Sequence, residues 1–102
     1  MPRYSLARFA VRADARAAAE AALFEHTSAV RRDQPALTVT VYRDPAQPTR
    51  YTALIRADDA AAEAGHRGTL ADALAPYLDG ALVFEHSELV TSSDLQRRPP
   101  RR

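Results

Sequence analysis

Apolar and polar positions alternate along four stretches of the chain, which is the period of a β-strand with two distinct faces. The predicted strands are residues 4–12, 37–42, 50–56 and 82–90. The middle two are dense in β-branched and aromatic residues, and a turn built on Asp44-Pro45 and Pro48 joins them. We therefore expect these two strands to pair as a hairpin.

The segment between the first two strands has the spacing of an amphipathic helix. Helix is predicted over 15–32, with Asp14 as its N-cap and with Arg31 and Arg32 well placed at the negative end of the helix dipole. Its predicted buried face comprises Ala19, Leu23, Thr27 and Val30, with His26 beside them. Pro35 prevents the helix from continuing.

A second helix is predicted between the hairpin and the last strand, in two pieces. Asp58 or Asp59 can cap a short helix over 60–64. The glycines at 65 and 68 weaken this helix, and a capping-box pattern at 69–72 restarts it. The predicted stripe on one face comprises His66, Leu70, Leu74 and Tyr77.

These elements follow the order β-α-β-β-α-β, which is typical of a ferredoxin-like α+β fold. In this fold, two helices cover one face of a four-stranded antiparallel sheet. The other face would carry Leu6, Tyr42 and Leu54, and no predicted element is left to cover them. Two copies packed sheet against sheet would bury these side chains, so we expect a homodimer.

Length and charge restrict the possible classes of protein. The 102 residues suffice for one domain, predicted over 1–92, followed by a disordered basic tail over 93–102. The net charge is +1, but the last six residues hold four of the fourteen arginines. The remainder therefore has ten arginines against thirteen acids, a net charge of 10 − 13 = −3. We expect no nucleic-acid partner, because the positive charge is not spread over a folded face.

Three further absences in the sequence limit the chemistry. The chain has no cysteine, which excludes disulfides and thiolate chemistry. It has no apolar run near the roughly 20 residues that cross a bilayer, and no signal-peptide apolar region. We therefore expect a cytoplasmic protein without membrane contact. No pair of the three histidines has the local spacing of a zinc motif, so no metal site is expected.

Three segments carry a family resemblance. They are FAVRAD at 9–14, VTVYRDP at 39–45 followed by PTRY at 48–51, and AGHRGT at 64–69. Through them the chain resembles the antibiotic biosynthesis monooxygenase family, within the dimeric α+β barrel superfamily, over about residues 4–90. It departs from the family pattern at Ile55-Arg56-Ala57, where members usually have Glu-x-Trp.

The resemblance implies a cofactor-independent monooxygenase that acts on an electron-rich aromatic, such as a hydroquinone or a polyketide-derived phenol. The phenol anion itself passes an electron to dioxygen, so neither metal nor flavin is implied. His66 is the implied catalytic base, because an imidazole can accept a phenol's proton near neutral pH. The implied substrate-binding residues are Phe9, His26, Tyr51, Leu70 and Tyr77.

Alternatives remain open for both the residues and the function. His66 could instead stabilise the break between the two glycines, and Tyr51 and Tyr77 could be core residues. His26 could be half exposed, and His86 could face the pocket or the dimer seam. The protein could be a non-oxidative ligand-binding protein or a polyketide cyclase of the same superfamily. The fold could also serve assembly alone.

Overall fold

Strands and helices alternate in the predicted order β-α-β-β-α-β. The structure is a computed structural model that describes residues 2–93. Its elements are β1 (Arg3–Ala10), α1 (Arg16–Asp33), β2 (Leu37–Arg43), β3 (Arg50–Ala57), α2 (Ala60–Leu74) and β4 (Val83–Ser87). The predicted ferredoxin-like fold is confirmed. Apart from Ser93, the predicted basic tail lies outside the described residues.

The four strands form one antiparallel sheet in the order β2-β3-β1-β4. Ala7 of β1 pairs with Ala53 of β3 on one side and with Phe84 of β4 on the other. Two fully buried alanines thus lie side by side at the centre of the sheet. Their small side chains leave room for the residues that the helices contribute to the core.

The core lies between the helices and one face of the sheet. Strand residues point into it at every second position, as the alternation predicted, and helix residues enter at three- and four-residue spacing. The buried cluster comprises Ala7, Phe9, Val11, Ala19, Leu23, Tyr51, Ala53, Ile55, Leu70 and Leu74. This core packs both helices against the sheet, which sets the direction of their inward-facing side chains.

Helix α1 differs from its prediction at the start and on its buried face. A 3-10 turn at Ala13–Ala15 precedes it, and the residue at the cap is Ala15 with no side-chain hydrogen bond, so Asp14 is not the cap. His26, not Thr27, takes the buried position between Leu23 and Val30. The rotation of the helix about its axis explains this difference, because it leaves Thr27 only half-buried. The Thr27 hydroxyl donates to the carbonyl of Phe24.

Helix α2 runs unbroken through both glycines, so the predicted interruption is wrong. The side chain of Asp59 caps the helix by accepting from Ala62 N at 2.8 Å. Thr69 does not restart it, because its hydroxyl donates back to the carbonyl of Gly65, a bond found inside helices. Burial of Leu70 and Leu74 outweighs the roughly 1 kcal/mol by which each glycine disfavours helix.

The first and last strands are shorter than predicted. β4 ends at Ser87 because its partner strand runs out: Tyr4, next to the first residue of β1, already pairs with Ser87. β1 ends at Ala10, and Val11 makes only an isolated bridge to Leu78. Within residues 2–93, no helix is long and apolar enough to cross a membrane.

The outer face of the sheet carries Leu6, Tyr42 and Leu54, and no helix formed by residues 2–93 lies over it. Leu54 is 42% exposed and Tyr42 is 55% exposed. A shallow apolar hollow of ≈ 590 Å³ crosses this face near Leu6 and Leu54. The face predicted to form a dimer seam is therefore left uncovered by the described part of the chain.

Candidate functional site

Two buried histidines meet between the helices. His26 of α1 and His66 of α2 are 7% and 3% exposed, and their Nε2 atoms lie 2.8 Å apart. The rings are tilted, with centroids 5.0 Å apart. Each histidine occupies the inward face of its own helix, one turn from a buried leucine, so helix packing brings them together.

Burial keeps this pair uncharged. Desolvation lowers the pKa of His66 to about 4, with the nearby His26 adding to the effect, and desolvation also lowers the pKa of His26. At neutral pH both rings are therefore neutral, so one Nε2 donates the shared hydrogen bond and the other accepts it. His66 Nδ1 is buried without a hydrogen-bond partner among residues 2–93. The unused nitrogen of this neutral imidazole can form one more hydrogen bond, and in the tautomer that leaves it a lone pair it can also accept a proton.

Helix α2 presents a second polar group next to His66. Glu63, one turn earlier, is 5% exposed, and its Oε1 accepts from Arg3 Nε at 3.1 Å. Its Oε2 lies 3.3 Å from His86 Nδ1 but is not aligned for a hydrogen bond. His86 Nε2 in turn lies 2.7 Å from a nitrogen of Arg67. His86 thus faces helix α2 and not the outer sheet face, which decides the question that the sequence left open.

An aromatic pair lies on the sheet beneath α1. Phe9 and Tyr51 stack with centroids 5.5 Å apart, and both are buried. The Tyr51 hydroxyl donates to Glu20 Oε2 at 2.5 Å, and Arg43 donates to the same oxygen at 2.7 Å. The hydrogen bond from Tyr51, followed by that from Arg43, lowers the pKa of Glu20. Burial, and then the bond to Glu20, raises the pKa of Tyr51, so this tyrosine stays protonated and holds the carboxylate.

A groove separates α1 from the edge strand β2. This α1–β2 groove has a volume of ≈ 410 Å³. It is lined by Glu20, Leu23, Phe24, Thr27, Val39, Thr40, Val41, Arg43 and Tyr51. Ligand sites in proteins are typically of this size, apolar with a few polar groups. Neither His26 nor His66 lines this groove.

The structure brings the six predicted site residues into the layer between helices and sheet, but not around one opening. His26 contacts His66, and Phe9 contacts Tyr51. Leu70 is fully buried and packs in the same core. Tyr77 lies past the end of α2, in the turn that follows, and packs against the core while partly exposed. No group of three His, Cys, Asp or Glu side chains in the described part of the chain is placed to hold a metal ion.

Sequence reasoning missed two carboxylates at these sites, Glu20 and Glu63. For Glu63 a signal exists, because it extends the stripe of His66, Leu70 and Leu74 by three residues toward the N-terminus. A charged residue in a run of alanines is ordinarily assigned to the solvent side. For Glu20 the only local signal is Arg16 one turn earlier, which is equally typical of an exposed ion pair.

The fold is similar to that of several candidate antibiotic biosynthesis monooxygenases of known structure. The protein from Bacteroides thetaiotaomicron has a TM-score of 0.77 and 16% identity, over 88% of this chain and 90% of that one. The protein from Caulobacter crescentus has a TM-score of 0.77 and 19% identity, over 88% and 91%. The protein from Deinococcus radiodurans has a TM-score of 0.72 and 20% identity, over 90% and 95%.

These similarities extend over at least 90% of each compared protein, and they confirm the fold that the family resemblance implied. No protein-family profile matches the sequence, and no curated protein sequence matches it either. The similarity therefore establishes the architecture, and the chemistry depends on the side chains of this chain.

Proposed function

We propose that the protein is a cofactor-independent monooxygenase that oxidises a planar, electron-rich phenol with dioxygen. The observation that carries the proposal is the buried, neutral pair of His26 and His66 with an unused nitrogen on His66. Similarity of fold to candidate monooxygenases supports the class of reaction.

His66 is the proposed proton acceptor. With its Nε2–H donating to His26, its Nδ1 carries a lone pair that can take the proton of a phenol. The resulting imidazolium keeps its hydrogen bond to His26, so His26 acts as a positioning residue. The phenolate formed beside the ring is a charge partner that free His66 lacks, and it offsets the desolvation that lowers the pKa of His66 in the free protein. Because both rings are almost fully buried, the phenol reaches His66 only when the helices part, and closure then excludes water.

The reaction then needs only dioxygen. The phenolate transfers an electron to dioxygen, and the activated ring carbon combines with the reduced oxygen. For an anthrone, a CH₂ group and O₂ give a C=O group and one water, so one oxygen atom enters the product and the other leaves as water. When the helices part, Phe9, Tyr51 and Leu70 of the buried cluster would supply the apolar and aromatic surface against which a planar ring packs, with Tyr77 at its edge.

Oxygen consumption with a panel of hydroquinones and anthrones tests this proposal. General acid–base catalysis is worth roughly 10²–10⁴ in rate, so His66→Gln should slow turnover by that factor. His86→Gln is the matched control, since this histidine lies on the same side of the sheet but is exposed. Equal rates for wild type and His66→Gln, with both folded, would overturn the catalytic role.

A second candidate function is the binding of a small apolar ligand without oxidation, as in a carrier or a cyclase. The observation that favours it is the open α1–β2 groove, which neither histidine lines. This function predicts saturable binding of a planar aromatic with no oxygen uptake above the rate of the buffer alone.

A further inference from the structure

The α1–β2 groove has a continuous apolar floor. Leu23 and Phe24 of the helix face Val39 and Val41 of the edge strand across it. Phe24 is 73% exposed, although it is a large apolar side chain in the middle of a helix. A second hollow of ≈ 560 Å³ shares Phe24, Thr27 and Val39 with the groove and continues it along the helix to Arg31. From Glu20 to Arg31 a helix rises about 16 Å, so the combined groove is long enough for a bicyclic ring or a medium alkyl chain.

One end of the groove is polar and adjoins a cluster of charged side chains. Glu20 lies there with Arg43 at 2.7 Å and Arg16 at 3.6 Å, so two guanidinium groups surround one carboxylate. The three side chains of this cluster together carry a net charge of +1, with Glu20 and Arg43 in the groove lining and Arg16 behind Glu20. Tyr51 also donates to Glu20, which fixes the carboxylate and, through it, Arg43. A guanidinium has five N–H groups, and only one N–H of Arg43 is needed for the bond to Glu20.

We propose that the α1–β2 groove binds a small amphipathic carboxylate, with its apolar body along Phe24 and Val41 and its carboxylate on Arg43. An anion fits because the cluster of Arg16, Glu20 and Arg43 at the polar end holds one more positive than negative charge. A planar carboxylate also matches the fork of a guanidinium, which recognises it through two parallel hydrogen bonds. This site is distinct from the buried histidine pair, and the proposal does not rest on the oxygenase function.

The probe for the test is 2-naphthoate, with 2-naphthalenemethanol as its uncharged counterpart of nearly the same shape. Each is titrated into the ¹⁵N-labelled full chain while amide chemical shifts are followed. The expected result is saturable binding of 2-naphthoate, with the largest shifts at Leu23, Phe24, Val41 and Arg43. The alcohol should bind about tenfold more weakly, because it lacks the charged partner for Arg43.

Two arginine variants locate the site. Arg43→Gln should weaken 2-naphthoate binding about tenfold and leave binding of the alcohol unchanged. Arg56→Gln is the matched control: its side chain is likewise 44% exposed and likewise paired with one carboxylate, but it lies on the outer face of the sheet. Binding by this variant should equal that of wild type.

Three results would overturn the proposal. The first is 2-naphthoate binding with shifts concentrated around Leu54 on the outer face, and loss of affinity in Arg56→Gln. The second is equal affinity for the acid and the alcohol in the wild-type protein, a comparison that does not depend on any variant folding. The third is the absence of saturable binding at millimolar probe.

Discussion

At the scale of single residues, the buried histidines make folding stability depend on pH. His66 has a pKa of about 4 when folded and near 6.5 when unfolded. The unfolded chain therefore binds a proton first as pH falls, which favours unfolding. The contribution of neutral His66 to the free energy of unfolding is fully present above about pH 6.5 and is lost as the pH falls toward 4. His26 acts in the same direction, because its pKa is lowered too.

We expect the free energy of unfolding to drop between pH 7.5 and 5.0 by about 2 kcal/mol on account of His66. Urea unfolding at the two pH values measures the drop. In His66→Gln the drop should shrink by about that amount, whereas His86→Gln should retain it, since His86 is exposed. An identical drop in wild type and His66→Gln would show that the buried ring does not resist protonation.

The sequence predicted the inward position of His66 but not its partners. Spacing along α2 is a local property, and it correctly placed His66, Leu70 and Leu74 on one face. The contact with His26 joins residues 40 positions apart, and the bond between Arg3 and Glu63 joins residues 60 apart. Such contacts depend on how two helices cross the sheet, and no pattern within one element encodes that.

At the scale of elements, helix α2 shows how packing overrides local preference. Two glycines within four residues predicted a break, yet the helix is continuous because its buried face is anchored at Leu70 and Leu74. Neither glycine is needed for space or conformation: a Cβ at Gly65 or Gly68 would meet no atom within 4 Å, and neither backbone has a positive φ.

Gly65→Ala and Gly68→Ala should each therefore stabilise the protein by about 0.5–1 kcal/mol, because alanine loses less backbone entropy in a helix. The melting temperature should rise by several degrees for each change. Gly80→Ala is the contrasting variant. Gly80 has a φ of +97°, where an alanine is strained, so the melting temperature of the Gly80→Ala protein should fall. A lower melting temperature in Gly65→Ala would show that α2 needs its flexibility there.

At the scale of the whole molecule, the open outer face of the sheet predicts association of two copies. Leu6, Tyr42 and Leu54 lie on this face, and no element of residues 2–93 covers them, because both helices occupy the other face. The alternation along the strands predicted both faces, since it depends only on the two-residue period. The two-residue period does not indicate what covers the outer face, so the dimer stays a prediction.

At micromolar protein concentration, light scattering should give twice the mass of one chain. The surface area buried between the two copies should exceed about 1,000 Å², as in other stable interfaces. Leu54→Asp should halve that mass or unfold the protein, because it would bury a charge at the seam. Phe24→Asp places the same charge on an exposed apolar position of helix α1, away from the seam, and should leave the mass unchanged. A wild-type protein with the mass of one chain would remove the dimer.

The central claim, that the chain is a monooxygenase, is tested most directly by the fate of the oxygen atoms. Anthrone is incubated with the protein under ¹⁸O₂, and product and water are analysed by mass spectrometry against His66→Gln as background. We predict one ¹⁸O atom in each anthraquinone formed and the second in water, with incorporation at least about 10²-fold faster for wild type. Product without label, accompanied by hydrogen peroxide, or equal rates for both proteins would contradict the claim.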